Sequence, residues 1–161
     1  MTQRIVTVSV LVVALVALWR YWPSDEQRIQ RLVQEIAAAL QPAADETDGA
    51  RISRLAPLAR GLSTDIRVEG PTPLSGREQV MAAAMQAGRV TQRLAIVVRD
   101  VEISVEPSRT TATALVTVAV TGADSGATGA WDDITELKLD LTRQNDVWLV
   151  IRVAPVAALR P

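Results

Sequence analysis

Between positions 24 and 40 the apolar residues recur at helical spacing, and Ile29, Leu32, Val33, Ile36, Ala37 and Leu40 fall on one stripe. The pattern predicts an amphipathic helix opened by Ser24, with Gln27 at capping-box distance. Asp25 and Glu26 sit where the helix dipole favours negative charge, and Pro42 stops the helix. After a polar linker at 43–49, a shorter helix is expected to turn Ile52, Leu55 and Leu58 inward. Pro57 should kink or shorten it, and Gly61 can end it. Residues 62–69 read as a strand with Ile66 and Val68 on one face, broken by Gly70-Pro71-Thr72-Pro73. Ser75 and Glu78 have the spacing of a second capping box. It would open a third helix carrying Val80, Met81, Ala84 and Met85 and ending near Gly88.

From there the period changes to two. Leu94, Ile96 and Val98 alternate, and Val101, Ile103 and Val105 alternate in the opposite phase. One extra residue at Arg99-Asp100, a β-bulge, keeps both sets on one face and bends the strand. Pro107-Ser108-Arg109 is a turn, and Ala112, Ala114, Val116, Val118 and Val120 continue the sheet. A glycine-rich loop at 122–129 precedes Leu137, Leu139 and Leu141, and Gln144-Asn145-Asp146 turns the chain into a closing strand at 147–153. The order is three helices, one strand among them, then long antiparallel strands. That is an α+β fold, with helices covering one face of a bent, mostly antiparallel sheet.

The first two dozen residues follow neither period. IVTVSVLVVALVALW (5–19) is apolar except for Thr7 and Ser9 and holds no charge. As a helix it spans about 22 Å. Trp19, Tyr21 and Trp22 extend it toward the bilayer thickness and crowd one end, where amphipathic rings favour the membrane–water boundary. A cleavable secretory signal is the competing reading, but no good small-x-small site follows the run. The expectation is an N-terminal transmembrane anchor at 1–23 and one domain at 24–161. Arg4 and the short leading segment favour an N-terminus inside, although Arg20, Arg28 and Arg31 weaken the asymmetry. The domain is thus expected to face the periplasm or cell exterior from a bacterial inner membrane.

Composition narrows the chemistry. There is no histidine, cysteine or phenylalanine. Imidazole acid–base catalysis, a serine–histidine hydrolase, a cysteine nucleophile, thiolate metal sites and a disulfide framework are therefore unavailable. Seventeen basic and eighteen acidic residues leave a formal charge of −1, and the arginines are spread along the chain. Nothing in that pattern points to nucleic acid. No cofactor is implied.

The stretch ARISRLAPLARGLSTDIRVEGPTPLSGREQV (50–80) looks like the helix–strand–helix of nuclear transport factor 2-like (SnoaL-like) domains, and NDVWLVIRV (145–153) is similar to their last, Trp-containing strand. The resemblance covers roughly 24–156 and rests on the order of short motifs. It implies a cone-shaped fold with a pocket between helices and concave sheet, often paired into dimers, and it does not imply an activity. Carrying over the ketosteroid isomerase-like pattern fails at its key positions. Where those enzymes place the general-base aspartate, this chain has Gly70. Their oxyanion-stabilising tyrosine falls near Ile36, and 24–161 holds no tyrosine. An isomerase needs both a base and a donor.

The residues expected near a pocket are Asp65, Asp100, Trp131, Trp148, Met81 and Met85. A carboxylate desolvated in a pocket could act as a general acid or base, whereas Asp65 and Asp100 also read as solvated strand-end residues. Trp131 and Trp148 could wall an apolar ligand or, for Trp148 especially, pack the sheet; Met81 and Met85 read as core filler. Asp132, Asp133 and Glu136 lack the calcium-loop spacing and read as a charged strand start rather than a cation site. Thr113, Leu115, Thr117 and Ala119, on the outer sheet face, could meet a second copy or a protein partner. The functional expectation is a membrane-anchored, non-catalytic binding or interaction module, with a small apolar ligand in view. The alternative is an isomerase- or hydratase-like enzyme using a pocket carboxylate.

Overall fold

The computed structural model describes residues 23–43, 46–90, 93–123 and 130–156. The apolar run at 5–19 and the anchor residues Trp19, Tyr21 and Trp22 lie outside them. Among the described residues no helix is long and apolar enough to cross a membrane.

Helix α1 (Asp25–Leu40) begins as its capping box dictates: the Gln27 backbone N–H donates to Ser24 Oγ, and the Ser24 N–H donates to the Gln27 side chain. Its stripe buries Ile29, Val33 and Ala37. Helix α2 (Asp48–Gly61) is capped by Thr47, whose Oγ1 accepts from the Ala50 N–H. It ends at Gly61 as expected and continues past Pro57, where the carbonyl that loses its partner belongs to the exposed Ser53. It differs from expectation at one position: Ile52 is 62% exposed, while Arg51 is buried in line with Leu55 and Leu58. Paired charges make this tolerable: Arg51 Nη1 reaches Asp48 Oδ1 at 2.9 Å, and its Nε faces Glu46 at 3.6 Å.

Strand β1 (Leu62–Val68) follows directly, and a two-residue strand β2 (Leu74–Ser75), not foreseen from the sequence, folds back on it. Because Ser75 pairs with Arg67 there, it does not cap α3 (Arg77–Val90). The capping place falls to Gly76, at φ +85°, whose N–H donates to the Ile66 carbonyl at 2.7 Å. The Ser75 N–H is met by Gln79, not Glu78. A side chain at position 76 would be strained by that φ.

The remaining strands are β3 (Arg93–Val105), β4 (Thr111–Ala123), β5 (Ala130–Gln144) and β6 (Val147–Pro155). They form one six-stranded sheet in the order β2-β1-β6-β5-β4-β3. Only β1 and β6 pair in parallel. The bulge falls where the phase reversal puts it: Val98 pairs with Val118 and Asp100 with Thr117, leaving Arg99 as the extra residue. A second irregularity, between Asp140 and Leu141 opposite 150–152, has no counterpart in the sequence reading. Asn145 and Asp146, both in the left-handed region at φ 49° and 63°, make the two-residue hairpin that matches strand twist. The sheet's inner face and the helices enclose one core, in which Ile29, Leu55, Ile66, Leu141 and Val150 are fully buried.

Candidate ligand cavity

Toward one end the layers separate. A cavity of about 420 Å³ lies between the helices and the sheet. Helix α1 supplies Val33, Ile36, Ala37 and Leu40, and α2 adds Leu58. Strand β1 contributes Leu62, Ile66 and Val68, and Leu74 in β2 joins them. The sheet wall is Ile96 and Val98 of β3, Val116, Val118 and Val120 of β4, Leu137 and Leu139 of β5, and Val153 of β6. Each comes from the inward phase of its strand, and in β3 only residues before the bulge take part. Helix α3 closes the space with Val80, Ala83, Ala84 and Ala87.

The cavity exists because these side chains are short. Alanines on α3 stand where longer residues would reach the sheet, and the chain has no phenylalanine to fill the gap. Every described lining residue is Ala, Val, Leu or Ile. Among the described residues the wall therefore presents no side-chain donor, acceptor or charge. Val33, Leu58, Ile66 and Val116 form a buried floor, whereas Ala87 is exposed and Leu40, Ile96 and Val120 are partly exposed, marking the mouth. At that rim the Gln41 side chain donates to the Ile96 carbonyl at 2.7 Å, tying the end of α1 to the edge strand.

Asp65, Asp100, Met81, Met85 and Trp148, expected near a pocket, are not in this lining. Asp65 is exposed on β1, where the Ser63 hydroxyl donates to its carboxylate. That hydrogen bond, with its own backbone N–H and Arg67, holds the Asp65 carboxyl below the usual range. A general acid or base needs the opposite shift. Asp100 is exposed beside the bulge, because the extra residue returns the inward phase to Val101. Met81 and Met85 pack against the core from α3 and are not among the residues lining the cavity. Trp131 pairs with Gly122 in the β4–β5 ladder; its side chain is outside the described residues.

Trp148 is buried at the opposite end, where its indole Nε1 donates to Asp25 Oδ1 at 3.3 Å. It borders a separate, shallow groove of about 350 Å³ with Arg28, Arg31, Leu32, Glu35, Asp146 and Val147. Nothing along the chain marks the observed lining beyond the inward apolar phase. That phase identifies buried positions, but it cannot separate those that touch another side chain from those that border empty space.

Charged groups are gathered elsewhere. Arg54 clamps Glu46 with bonds of 2.8 and 3.0 Å and also donates to the Ala39 carbonyl, fastening the α1–α2 connection. On the outer sheet face Arg152 meets Glu69 at 2.8 Å. That face also holds Thr113, Leu115, Thr117 and Ala119, with Ile134 and Val97 exposed on the same row as Ala119. Among the described residues no group of three or more carboxylates is arranged to hold a metal ion.

No protein-family model and no curated protein matches the chain. Solved structures do. A scytalone dehydratase-like protein from Novosphingobium aromaticivorans superposes with a TM-score of 0.68 at 12% identity, covering 84% of this chain and 85% of that one. A hexachlorocyclohexane dehydrochlorinase (LinA) gives 0.66 at 13% identity, over 84% and 91%. A ketosteroid isomerase-like protein from Shewanella frigidimarina gives 0.57 at 20% identity, over 78% and 92%. At such identities the likeness defines the fold alone, a nuclear transport factor 2-like α+β cone. Solved structures with this fold include dehydratase-, dehydrochlorinase- and isomerase-named proteins and others of unknown function. Ile36, set by the resemblance against the isomerases' tyrosine, is part of the aliphatic wall.

Proposed function

We propose that this chain is a membrane-anchored, non-catalytic binding module whose cone holds a small apolar molecule. One observation carries the reading: the described wall of the cavity is aliphatic from floor to rim. Proton transfer, elimination and hydration each need a positioned group that takes or gives a proton, and developing charge needs a donor. A wall of methyl and methylene groups supplies neither, but it favours an apolar guest over the poorly held water it displaces. The apolar run at 5–19 with Trp19, Tyr21 and Trp22 supports the anchor, and the domain would stand on the outer side of an inner membrane.

The enzyme alternative rests on Asp65 or Asp100, and the outward exposure of both argues against it. Two measurements test the proposal on the full-length chain. Carbonate-washed membranes should retain it, and a C-terminal reporter active only outside the cytoplasm should be active; recovery in the aqueous fraction would refute the anchor. Native mass spectrometry of polymer-extracted nanodiscs should find an apolar adduct. An unliganded chain that also fails to take up apolar probes would refute the binding role.

A further inference from the structure

The cavity's chemistry narrows its guest, on the premise that the cone is a binding site at all. We infer that it takes a single unbranched alkyl chain of a one-tailed amphiphile, inserted tail first, with the polar head left at the mouth. Three features lead there.

The first is polarity. Any hydrogen-bonding group carried to the floor would be desolvated with no side-chain partner, since no described lining side chain can donate or accept. The buried part of the guest must therefore be pure hydrocarbon. Only the rim, where Ala87 is exposed and Gln41 meets the Ile96 carbonyl, allows a head group to stay in water.

The second is shape preference. Flat ring systems gain specificity from aromatic walls, through stacked and edge-to-face contacts. Among the described residues the cavity has no aromatic side chain, and Trp148 lies at the other end of the core. Branched aliphatic side chains offer only dispersion contacts without a preferred plane, which suits a flexible tail. The alanines of α3, Ala83, Ala84 and Ala87, add only methyl groups to that wall.

The third is capacity. At about 30 Å³ for each small group, a volume near 420 Å³ takes on the order of a dozen methylenes. That is one medium-length tail. A two-tailed lipid carries at least twice as much hydrocarbon, so its second tail would stay outside.

Photo-crosslinking of the full-length chain in membranes tests this, using dodecanoic acid with a diazirine at its terminal carbon. The expected result is labelling of floor peptides containing Ile66 or Val116. A probe with the diazirine beside its carboxylate should instead label rim peptides containing Ala87 or Ile96. Ala84→Phe should cut floor labelling at least about tenfold, a loss of about 1.4 kcal/mol in binding. Ala87→Trp, at the rim, should do the same if Ala84→Phe fails to accumulate. Asp65→Asn, outside the cavity, should leave labelling unchanged.

A photoreactive sterol or diacyl phospholipid that labels the floor as strongly as the dodecanoate would overturn the one-tail inference while leaving the apolar-binding role intact. If no probe labels the floor, both fail.

Discussion

Trp148 on the last strand and Asp25 in the first turn of α1 are 123 residues apart, yet the indole Nε1 donates to the carboxylate at 3.3 Å. The same Asp25 oxygen faces Arg143 at 3.4 Å. This contact seals the core end opposite the cavity and fixes the start of α1 against the final hairpin. Removing the ring by Trp148→Ala should cost about 3–5 kcal/mol of stability. Trp148→Phe loses only the indole N–H and much less volume, because Arg143 still faces Asp25, and should cost about 1 kcal/mol. Urea titration followed by far-UV circular dichroism measures both, and equal losses would mean that the hydrogen bond, not the ring, dominates.

The α1–α2 connection should respond to acid. Hydrogen bonds from Arg54, reinforced by Arg51, hold the Glu46 carboxyl below its ordinary 4.5. A group whose folded value is depressed contributes stability above the unfolded value and loses it as pH falls through the folded one. Stability should therefore fall as the pH drops below 4.5. Glu46→Gln should lower the neutral-pH melting temperature and make the acid-side decline shallower. A variant with an unaltered acid profile would assign that decline to other carboxylates, Asp65 among them, whose depressed value acts in the same direction.

Deleting Arg99 offers a test of what the bulge does. Without it, Ile96, Val98, Val101, Ile103 and Val105 fall into unbroken alternation, so the inward face is kept and the bend is lost. The variant should fold, with far-UV circular dichroism near that of the parent. Its labelling by the dodecanoate probe should drop at least about tenfold as the cavity changes shape. Failure to fold would mean that curvature is needed for the core itself.

Gly61 marks a close approach of α2 to α1. A Cβ there would lie 2.6 Å from Leu32 Cδ1 and 3.3 Å from Ile36 Cδ1. Ala can be admitted by a small shift of the leucine tip, and Gly61→Ala should be nearly neutral because it also gains helix propensity. Gly61→Leu should cost about 1–3 kcal/mol through overpacking, read from the urea midpoint. Because Ile36 also lines the cavity, the same variant should weaken probe labelling.

Asp65→Asn and Asp100→Asn separate the binding and enzyme readings. Both side chains are exposed and outside the lining, so probe labelling should stay within about twofold of the parent, a difference under 1 kcal/mol. A large loss from either change would revive a carboxylate at the site.

Much of the architecture was legible because it is written in local chemistry. The Ser24–Gln27 capping box, the Arg99 bulge and the Asn145-Asp146 turn each depend on residues a few positions apart, and each formed where spacing indicated. The failures came from longer range. Ser75 looked like a cap, but a strand partner took it; Ile52 was expected to turn inward, but Arg51, paired with Glu46 and Asp48, is buried in that row instead. The site was the least legible part. Polar and aromatic residues attract attention as candidates, and the described lining of this cavity consists of residues that also build cores.

The sequence by itself determined that no histidine or cysteine chemistry is available, that a helical layer covers a bulged sheet, and that the inward positions are small and aliphatic. Those follow from composition and period, which neighbours along the chain fix. Only the tertiary structure decided where the inward residues stop touching one another, because that distance depends on sheet curvature, on the helix–sheet gap, and on α3 meeting the strands with alanines. Packing is a relation between segments, and no single segment carries it.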